Sequence, residues 1–216
     1  MPHRIITIDG PAGAGKTTVS TLLAQDLGCI RVDTGALYRG VAHEIMQQNI
    51  DWENDAALKN FLSTLDLQFQ LEKDGLRLFS SGKDITSHIR TSRITMLASA
   101  VSANPAVRSA LLALQRSISQ QQDAVFEGRD MGTVVFPDAF VKFFLFADLS
   151  IRARRRYDEI QDAPKDFSCV MAEMEKRDTD DAQRTQAPLK PASDAIHIDA
   201  SFLTPRQVVD KMHTYL

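Results

Sequence analysis

The segment that decides the fold is Gly10-Pro11-Ala12-Gly13-Ala14-Gly15-Lys16-Thr17. It matches the nucleotide-phosphate pattern G-x-x-x-x-G-K-[ST], which needs a strand before it and a helix after it. The sequence predicts both neighbours. The apolar run 5–8 indicates a buried strand, and Val19, Leu22, Leu23 and Leu27 recur on one face of a helix. We therefore interpret the segment as a phosphate loop and not as an ordinary glycine turn.

The chemistry of this loop follows from its residue types. Glycines let the backbone wrap closely and aim successive N–H groups at phosphate oxygens, and the following helix adds its positive N-terminal end. Lys16 is predicted to reach the β- and γ-phosphates, and Thr17 to offer its hydroxyl to Mg²⁺. The predicted phosphate-binding residues are Gly10, Pro11, Ala12, Gly13, Ala14, Gly15, Lys16, Thr17 and Thr18.

Short apolar runs alternate with helical patterns along most of the chain, which predicts an α/β fold with a parallel sheet between helices. The period changes between about 61 and 90, where apolar residues occupy alternate positions on both sides of Asp74-Gly75. Alternation across Asp-Gly predicts a hairpin. We interpret 61–90 as an inserted antiparallel subdomain, with 1–60 and 91–216 as the core.

Composition excludes several classes of protein. Hydrophobic residues make up 44% and charged residues 25% of the 216 residues, so a disordered chain or a membrane bundle is not expected. The net charge of −3 does not favour a nucleic-acid or anionic-membrane surface. No apolar run approaches the roughly 18 residues of a membrane span, and we expect a cytoplasmic protein. We also expect a monomer. No asparagine is followed by lysine, so a guanine-reading switch element is absent from the sequence.

Four arginines suggest a second phosphate site. They are Arg39 on the predicted second helix, Arg129 after a strand, and Arg177 and Arg184 in a charged segment. Each taken alone fits a surface arginine. Together, at strand ends and in a candidate lid at about 152–184, they fit a kinase that holds two repelling anions in line.

Other polar residues in these regions have two interpretations each. Asp130 is either structural, bound to a helix cap or an arginine, or accepts from the amine of a base such as cytosine. In the second case Arg108 donates to the same base edge. Tyr38 either contacts the acceptor or simply packs. The arginines at 152 and 154–156 form either a solvated helix face or a lid over the nucleotide.

The combination of motifs resembles the bacterial cytidylate kinases. The resemblance is carried by Ile8–Lys16, by Asp33-Thr34-Gly35-Ala36-Leu37-Tyr38-Arg39, by Gly128-Arg129-Asp130-Met131-Gly132-Thr133 and by the segment from Arg177 to Leu189. It covers essentially the whole chain. It implies a nucleoside-monophosphate kinase fold with a five-stranded parallel sheet, a small antiparallel nucleotide-binding insert and a helical lid.

The resemblance also implies an activity, the transfer of the γ-phosphoryl group of ATP to CMP or dCMP with Mg²⁺. By similarity, Ser99, Arg108 and Asp130 would recognise cytosine, and Thr34, Tyr38 and Asp181 would lie along the sugar. Arg39, Arg129 and Arg184 would hold the acceptor phosphate, with Arg177 close to the transferring group. The implied catalytic residues are Lys16, Arg129, Arg177 and Arg184.

Two residues depart from the family pattern. Glu127 stands where aspartate is usual, and Thr34 replaces a frequent serine. Both keep the functional group, so shifted metal or sugar contacts are expected without loss of activity. Two rival hypotheses stay open: a kinase for another small acceptor such as UMP or AMP, and a nucleotide-binding regulator that hydrolyses ATP slowly.

Overall fold

The computed structural model describes residues 3–72, 75–159 and 166–216, without the side chains of 71, 72 and 75. The chain divides into two compact units. The terminal unit runs to Arg31 and resumes at Gln122, and the middle unit is Val32–Gln121. The elements are β1 (Ile5–Asp9), α1 (Lys16–Leu27), β2 (Ile30–Asp33), α2 (Thr34–Gln47), α3 (Asp55–Thr64), β3 (Leu67–Glu72), β4 (Gly75–Ser80), β5 (Lys83–Asp84), α4 (Ser92–Val101), α5 (Pro105–Ser119), β6 (Ala124–Gly128), β7 (Val141–Phe146), α6 (Leu149–Glu159), α7 (Phe167–Gln183), β8 (Ile196–Asp199) and α8 (Pro205–His213).

The main sheet has five strands in the order β2-β6-β1-β7-β8. β1 lies between β6 and β7 and pairs in parallel with both, and β7 pairs in parallel with β8. This confirms the predicted five-stranded parallel sheet. Because β1 is central and its residues from Ile6 onward are buried, its carboxyl end delivers the phosphate loop to a fixed point.

The core of the terminal unit is formed by apolar residues of the sheet packed against α1 and α8. Ile8 and Phe143 of the sheet and Leu23 of α1 are fully buried in it. The sequence Thr204-Pro205-Arg206-Gln207 predicts a capping box at the start of a final helix. α8 begins with this capping box, since the Thr204 side chain and the Gln207 side chain each accept a hydrogen bond from the other residue's backbone N–H. The prediction that this segment is a capped helix is therefore confirmed.

The middle unit contains an antiparallel sheet with strand order β3-β4-β5. Leu67 pairs with Ser80 and Glu72 with Gly75, so the predicted hairpin is confirmed. Residue 74 of its predicted Asp-Gly turn lies outside the described residues. The sheet falls inside the segment 61–90, whose assignment as a nucleotide-binding insert stays a prediction. Leu78 of β4 packs with Leu37 and Val41 of α2 in the core of this unit.

Two local features differ from the sequence prediction. The sequence predicts the second helix from about Ala36 to Gln48. α2 begins earlier, at Thr34, because Asp33 accepts a hydrogen bond from the Ala36 N–H and caps the helix. After β6 the chain forms a π-helical turn, Met131–Val135, that the sequence did not predict. Its N–H groups bond five residues back, from Val135 to the Asp130 carbonyl and from Phe136 to the Met131 carbonyl.

Within the described ranges, no single helix has the length and apolar composition needed to cross a membrane; only α4 and α5 taken together pass such a test, across a bend of 101°.

Candidate active site

The phosphate loop follows β1 and requires glycine at its first position. A Cβ atom on Gly10 would lie 1.9 Å from the backbone oxygen of Leu145, so only glycine fits between β1 and β7. Gly13 and Gly15 have φ angles of 72° and 93°, which L side chains adopt only with strain. The loop therefore takes the wrapped conformation that the phosphate-binding pattern predicts.

Lys16 is the first residue of α1 and is buried. Its Nζ donates hydrogen bonds to the backbone oxygens of Gly10 at 2.8 Å and Pro11 at 2.7 Å. The ammonium group is thus held at the mouth of the loop. Thr17 and Thr18 follow it and are exposed.

Two arginines of the terminal unit lie close enough to Lys16 to change its ionisation. Burial, and then the positive charges of Arg129 and Arg177, hold the pKa of Lys16 well below its ordinary value, while Glu127 and Asp9 oppose this. A site where three cations repel one another favours an anion. The structure therefore brings Lys16, Arg129 and Arg177 together, and their assignment to phosphoryl transfer stays a prediction.

Thr17 belongs to a short polar chain with two partners. Its hydroxyl donates to one carboxylate oxygen of Glu127 at 3.1 Å, and Arg31 contacts the other oxygen at 2.6 Å. Hydroxyl and carboxylate oxygens are the ligands that Mg²⁺ prefers. Thr17 and Glu127 thus fit a magnesium site, although the described residues contain no cluster of three or more metal-ligating side chains.

A second set of charges lies on the Gly128–Arg129–Asp130 segment and on α7 and the residues that follow it. Arg129 Nε donates to Asp181 at 2.9 Å. Arg184 lies 3.7 Å from Asp181 and 3.8 Å from Asp130, and all three side chains are less than a tenth exposed. Four predicted substrate-binding residues, Arg129, Asp130, Asp181 and Arg184, therefore form one network in the terminal unit, in which Arg129 is partly exposed and the other side chains are buried.

Asp9, which the sequence analysis did not select, supports this segment. Its carboxylate accepts hydrogen bonds from the backbone N–H groups of Met131 at 2.8 Å and Gly132 at 2.7 Å. Burial raises its pKa from 3.8 to about 6, against the two N–H bonds, which lower it; Asp130 raises it and Lys16 lowers it. An available signal was that Asp9 and Gly128 end adjacent strands, whose carboxyl ends meet at one edge of the sheet.

The structure separates the arginines of α6 into different roles. Arg152 is buried and bonds the backbone oxygens of Ala12 and Ala147 and the carboxylate of Asp178, so for this residue the interpretation as a solvated face is wrong. The other three lie nearer the surface: Arg154 stacks on Phe167, Arg155 donates to the Ala200 carbonyl, and Arg156 pairs with Glu159. Part of the predicted lid, residues 160–165, lies outside the described residues.

In the middle unit, Asp33 and Arg39 form an ion pair at the start of α2. Arg39 donates to one Asp33 oxygen at 2.7 Å, and the other oxygen caps the helix. The Arg39 Nε–H is buried and has no hydrogen-bond partner within the described part of the chain. Thr34, between the two, is buried.

The remaining predicted residues of the middle unit lie on α2, α4 and α5. The Arg108 guanidinium lies 5.7 Å from the centre of the Tyr38 ring and donates to the Ser102 carbonyl at 3.1 Å. Tyr38 also packs on the core of this unit. Ser99 is half-buried on α4. The middle unit thus brings Tyr38 and Arg108 together.

Comparison with known proteins identifies the family. The family model described as "Cytidylate kinase" matches residues 6–216. The chain belongs to the cytidylate kinase family. The cytidylate kinase of Geobacter sulfurreducens is 43% identical over 212 residues, which cover 97% of this chain and 91% of that protein. The cytidylate kinase of Pseudomonas syringae pv. tomato is 45% identical over 212 residues, covering 96% and 93%.

Solved structures show the fold shared beyond the cytidylate kinase family. A shikimate kinase from Bacteroides thetaiotaomicron superposes with a TM-score of 0.53 over 98% of this chain and 97% of that one, at 12% identity. The likeness at this identity concerns the fold alone.

Proposed function

We propose that this protein transfers the γ-phosphoryl group of ATP to CMP and dCMP, giving ADP with CDP or dCDP. The P–O bond to the β–γ bridging oxygen of ATP breaks, and a new P–O bond forms to a phosphate oxygen of the acceptor. That oxygen is already anionic, so no general base is needed and the protein contributes positioning and positive charge.

The observation that carries this proposal is the cationic cluster at the phosphate loop. Burial, and then the positive charges of Arg129 and Arg177, hold the pKa of Lys16 well below its ordinary value. A triphosphate beside an acceptor phosphate would offset the repulsion among these positive charges. Arg129 and Arg184 are in turn oriented by Asp181, which supports their assignment to the acceptor phosphate.

Recognition of cytosine is assigned to Ser99, Arg108 and Asp130. Arginine donors and a carboxylate acceptor match the ring carbonyl, the ring nitrogen and the exocyclic amine of cytosine. Thr34, Tyr38 and Asp181 are assigned to the sugar side. Arg39 is assigned to the acceptor phosphate, and its buried, unpartnered Nε–H in the described structure supports an anion there.

Mg²⁺ is proposed as the cofactor, with Thr17 and Glu127 as the residues that would hold it. When bound, the ion would neutralise negative charge on the transferring phosphoryl group. The Arg31–Glu127 contact fixes the carboxylate whose other oxygen meets the Thr17 hydroxyl. We further propose that the protein acts as a 24.0 kDa monomer in the cytoplasm, where its nucleotide substrates are available.

A panel of acceptors tests the proposal. ADP formation is measured by a coupled assay with CMP, dCMP, UMP and AMP at equal concentrations and with saturating ATP and Mg²⁺. We expect CMP and dCMP to give the highest kcat/KM. Preference for AMP or inactivity with CMP would contradict the proposal, and ATP turnover that is independent of any monophosphate would favour the slow regulator.

A further inference from the structure

Asp9 ends β1 and reaches across to the turn that follows β6. Its side chain is buried, and its two oxygens accept from the N–H groups of Met131 and Gly132, 122 and 123 residues later in the chain. Both bonds, at 2.8 and 2.7 Å, are at the short end for N–H···O contacts, as is typical of a charged acceptor.

These two N–H groups need an acceptor because of where they lie. They are the first two N–H groups of the π-helical turn 131–135, and the first N–H groups of any helical segment have no partner within it. The residue immediately before a helix commonly accepts from them with its side chain. Asp130 occupies that position, but Asp9, at the end of β1, accepts from the N–H groups of Met131 and Gly132.

The geometry fixes the residues between the strand and the turn. Gly128 is held in the sheet by its pairing with Asp9, and Met131 and Gly132 are held by the Asp9 carboxylate. Arg129 and Asp130 are the two residues between these anchors. Asp9 therefore fixes the backbone on both sides of Arg129 and Asp130.

We infer that Asp9 is a positioning residue for the acceptor side of the reaction: it orients Arg129 and Asp130 without touching the acceptor itself. The inference rests on the proposed phosphorylation of CMP. The start of the phosphate loop depends much less on the Asp9 side chain, because the Gly10 backbone is confined by its contact with Leu145. Loss of the carboxylate should therefore disturb the acceptor more than ATP.

The test compares two variants of Asp9. Asp9→Asn keeps the shape and one acceptor oxygen but turns an NH₂ group toward the second N–H, and Asp9→Ala removes both acceptors. We expect the KM for CMP to rise about tenfold in Asp9→Asn and further in Asp9→Ala, with the KM for ATP changed by less than about threefold. Amide hydrogen exchange at Met131 and Gly132 should quicken in Asp9→Asn.

Thr7→Val is the matched control. Thr7 is a buried residue on the same face of β1, close to Gly132, and its hydroxyl has no hydrogen-bond partner in the described ranges. This variant should keep both KM values, which separates loss of the Asp9 bonds from a general disturbance beneath the turn.

Equal changes in the KM values for CMP and ATP, or unchanged values in Asp9→Asn with unchanged amide exchange, would overturn the inference. If Asp9→Ala does not fold, the comparison of Asp9→Asn with Thr7→Val decides. A wild-type protein that does not phosphorylate CMP contradicts the proposed function instead. Amide exchange at Met131 and Gly132 then still shows whether Asp9 anchors the turn.

Discussion

Asp130 carries a buried carboxylate whose role the sequence alone leaves open. Its carboxylate was expected to bind either an arginine, a helix cap or a base. In the structure it is buried 3.8 Å from Arg184, while Asp9 accepts from the turn's first N–H groups. Contact with an arginine does not exclude contact with the cytosine amine, because a carboxylate has acceptor sites for several donors.

Replacing Asp130 by asparagine tests its assignment. Asparagine keeps the size but removes the charge that faces Arg184. We expect kcat/KM for CMP to fall by about 100-fold and the KM for ATP to change by less than about threefold. Steady-state kinetics with each substrate varied in turn measure both. Asp210→Asn, which alters an exposed carboxylate on α8, is the control. Equal loss toward both substrates would make Asp130 a purely structural residue.

At the scale of elements, Gly10 lies at the junction between β1 and the phosphate loop. Among the described glycines it has the least room for a side chain. Gly10 has φ 150° and faces the Leu145 carbonyl, so a side chain would meet a backbone atom that cannot rotate away. A Cβ atom on Gly28, which ends α1 at φ 64°, would have open space around it in the described part of the chain. Gly10 is therefore required by its close packing against β7, whereas Gly28 is required only by its left-handed backbone conformation.

Alanine at each position measures the two requirements. Gly10→Ala should lower the free energy of unfolding by about 3 kcal/mol or more, since the backbone of β7 must move. Gly28→Ala should cost about 1–2 kcal/mol, the strain of a left-handed alanine. Urea denaturation monitored by circular dichroism gives both values. Similar losses in the two variants would mean that the contact with Leu145 relaxes easily.

Much of the order of strands and helices was predictable, because apolar residues are spaced differently in buried parallel strands and in amphipathic helices. The capping box of α8 and the hairpin of β3 and β4 were also local signals, and both were predicted. The π-helical turn after β6 was not, because its stabilising acceptor, Asp9, is distant in sequence. The early start of α2 was not predicted, because Asp33-Thr34-Gly35 fits a turn after a strand as well as it fits the helix cap that Asp33 forms.

At the scale of the whole molecule, ionisation of Asp9 couples folding to pH. Its pKa is 3.8 in the unfolded reference and about 6 in the fold, so between these values the folded chain binds more protons. Stability from this group is therefore fully present below about pH 4 and declines as the pH rises to about 6. A shift of about two units corresponds to about 3 kcal/mol.

The difference in unfolding free energy between wild type and Asp9→Asn isolates this effect. Because asparagine does not ionise, wild type should lose up to about 3 kcal/mol relative to the variant between pH 4 and pH 7. Denaturation curves of both proteins at several pH values provide this difference in unfolding free energy. The contributions of the other titrating groups are the same in both proteins and largely cancel. A difference that does not vary with pH would show that Asp9 titrates near its ordinary pKa.

The candidate site was predictable to a different extent in its two parts. Lys16 and Thr17 follow from a motif with a known physical basis, and in the structure they are the first two residues of α1. The network of Arg129, Asp130, Asp181 and Arg184 could be proposed from the sequence only through the family resemblance, since residues on β6 and α7 meet only in the folded chain. Arg152 could not be distinguished from the neighbouring arginines, because the charged sequence of α6 does not indicate which arginine packs against Ala12 and Asp178.

The proposed function requires that the phosphate loop and its arginines serve transfer to CMP and not to water. The most direct measurement follows the label from [γ-³²P]ATP in the presence of CMP and Mg²⁺, with Lys16→Met as the inactive control. We predict that the label appears in CDP in step with ADP formation, and that Lys16→Met lowers the rate at least about 100-fold. Label released as inorganic phosphate at a rate that CMP does not change would contradict the account.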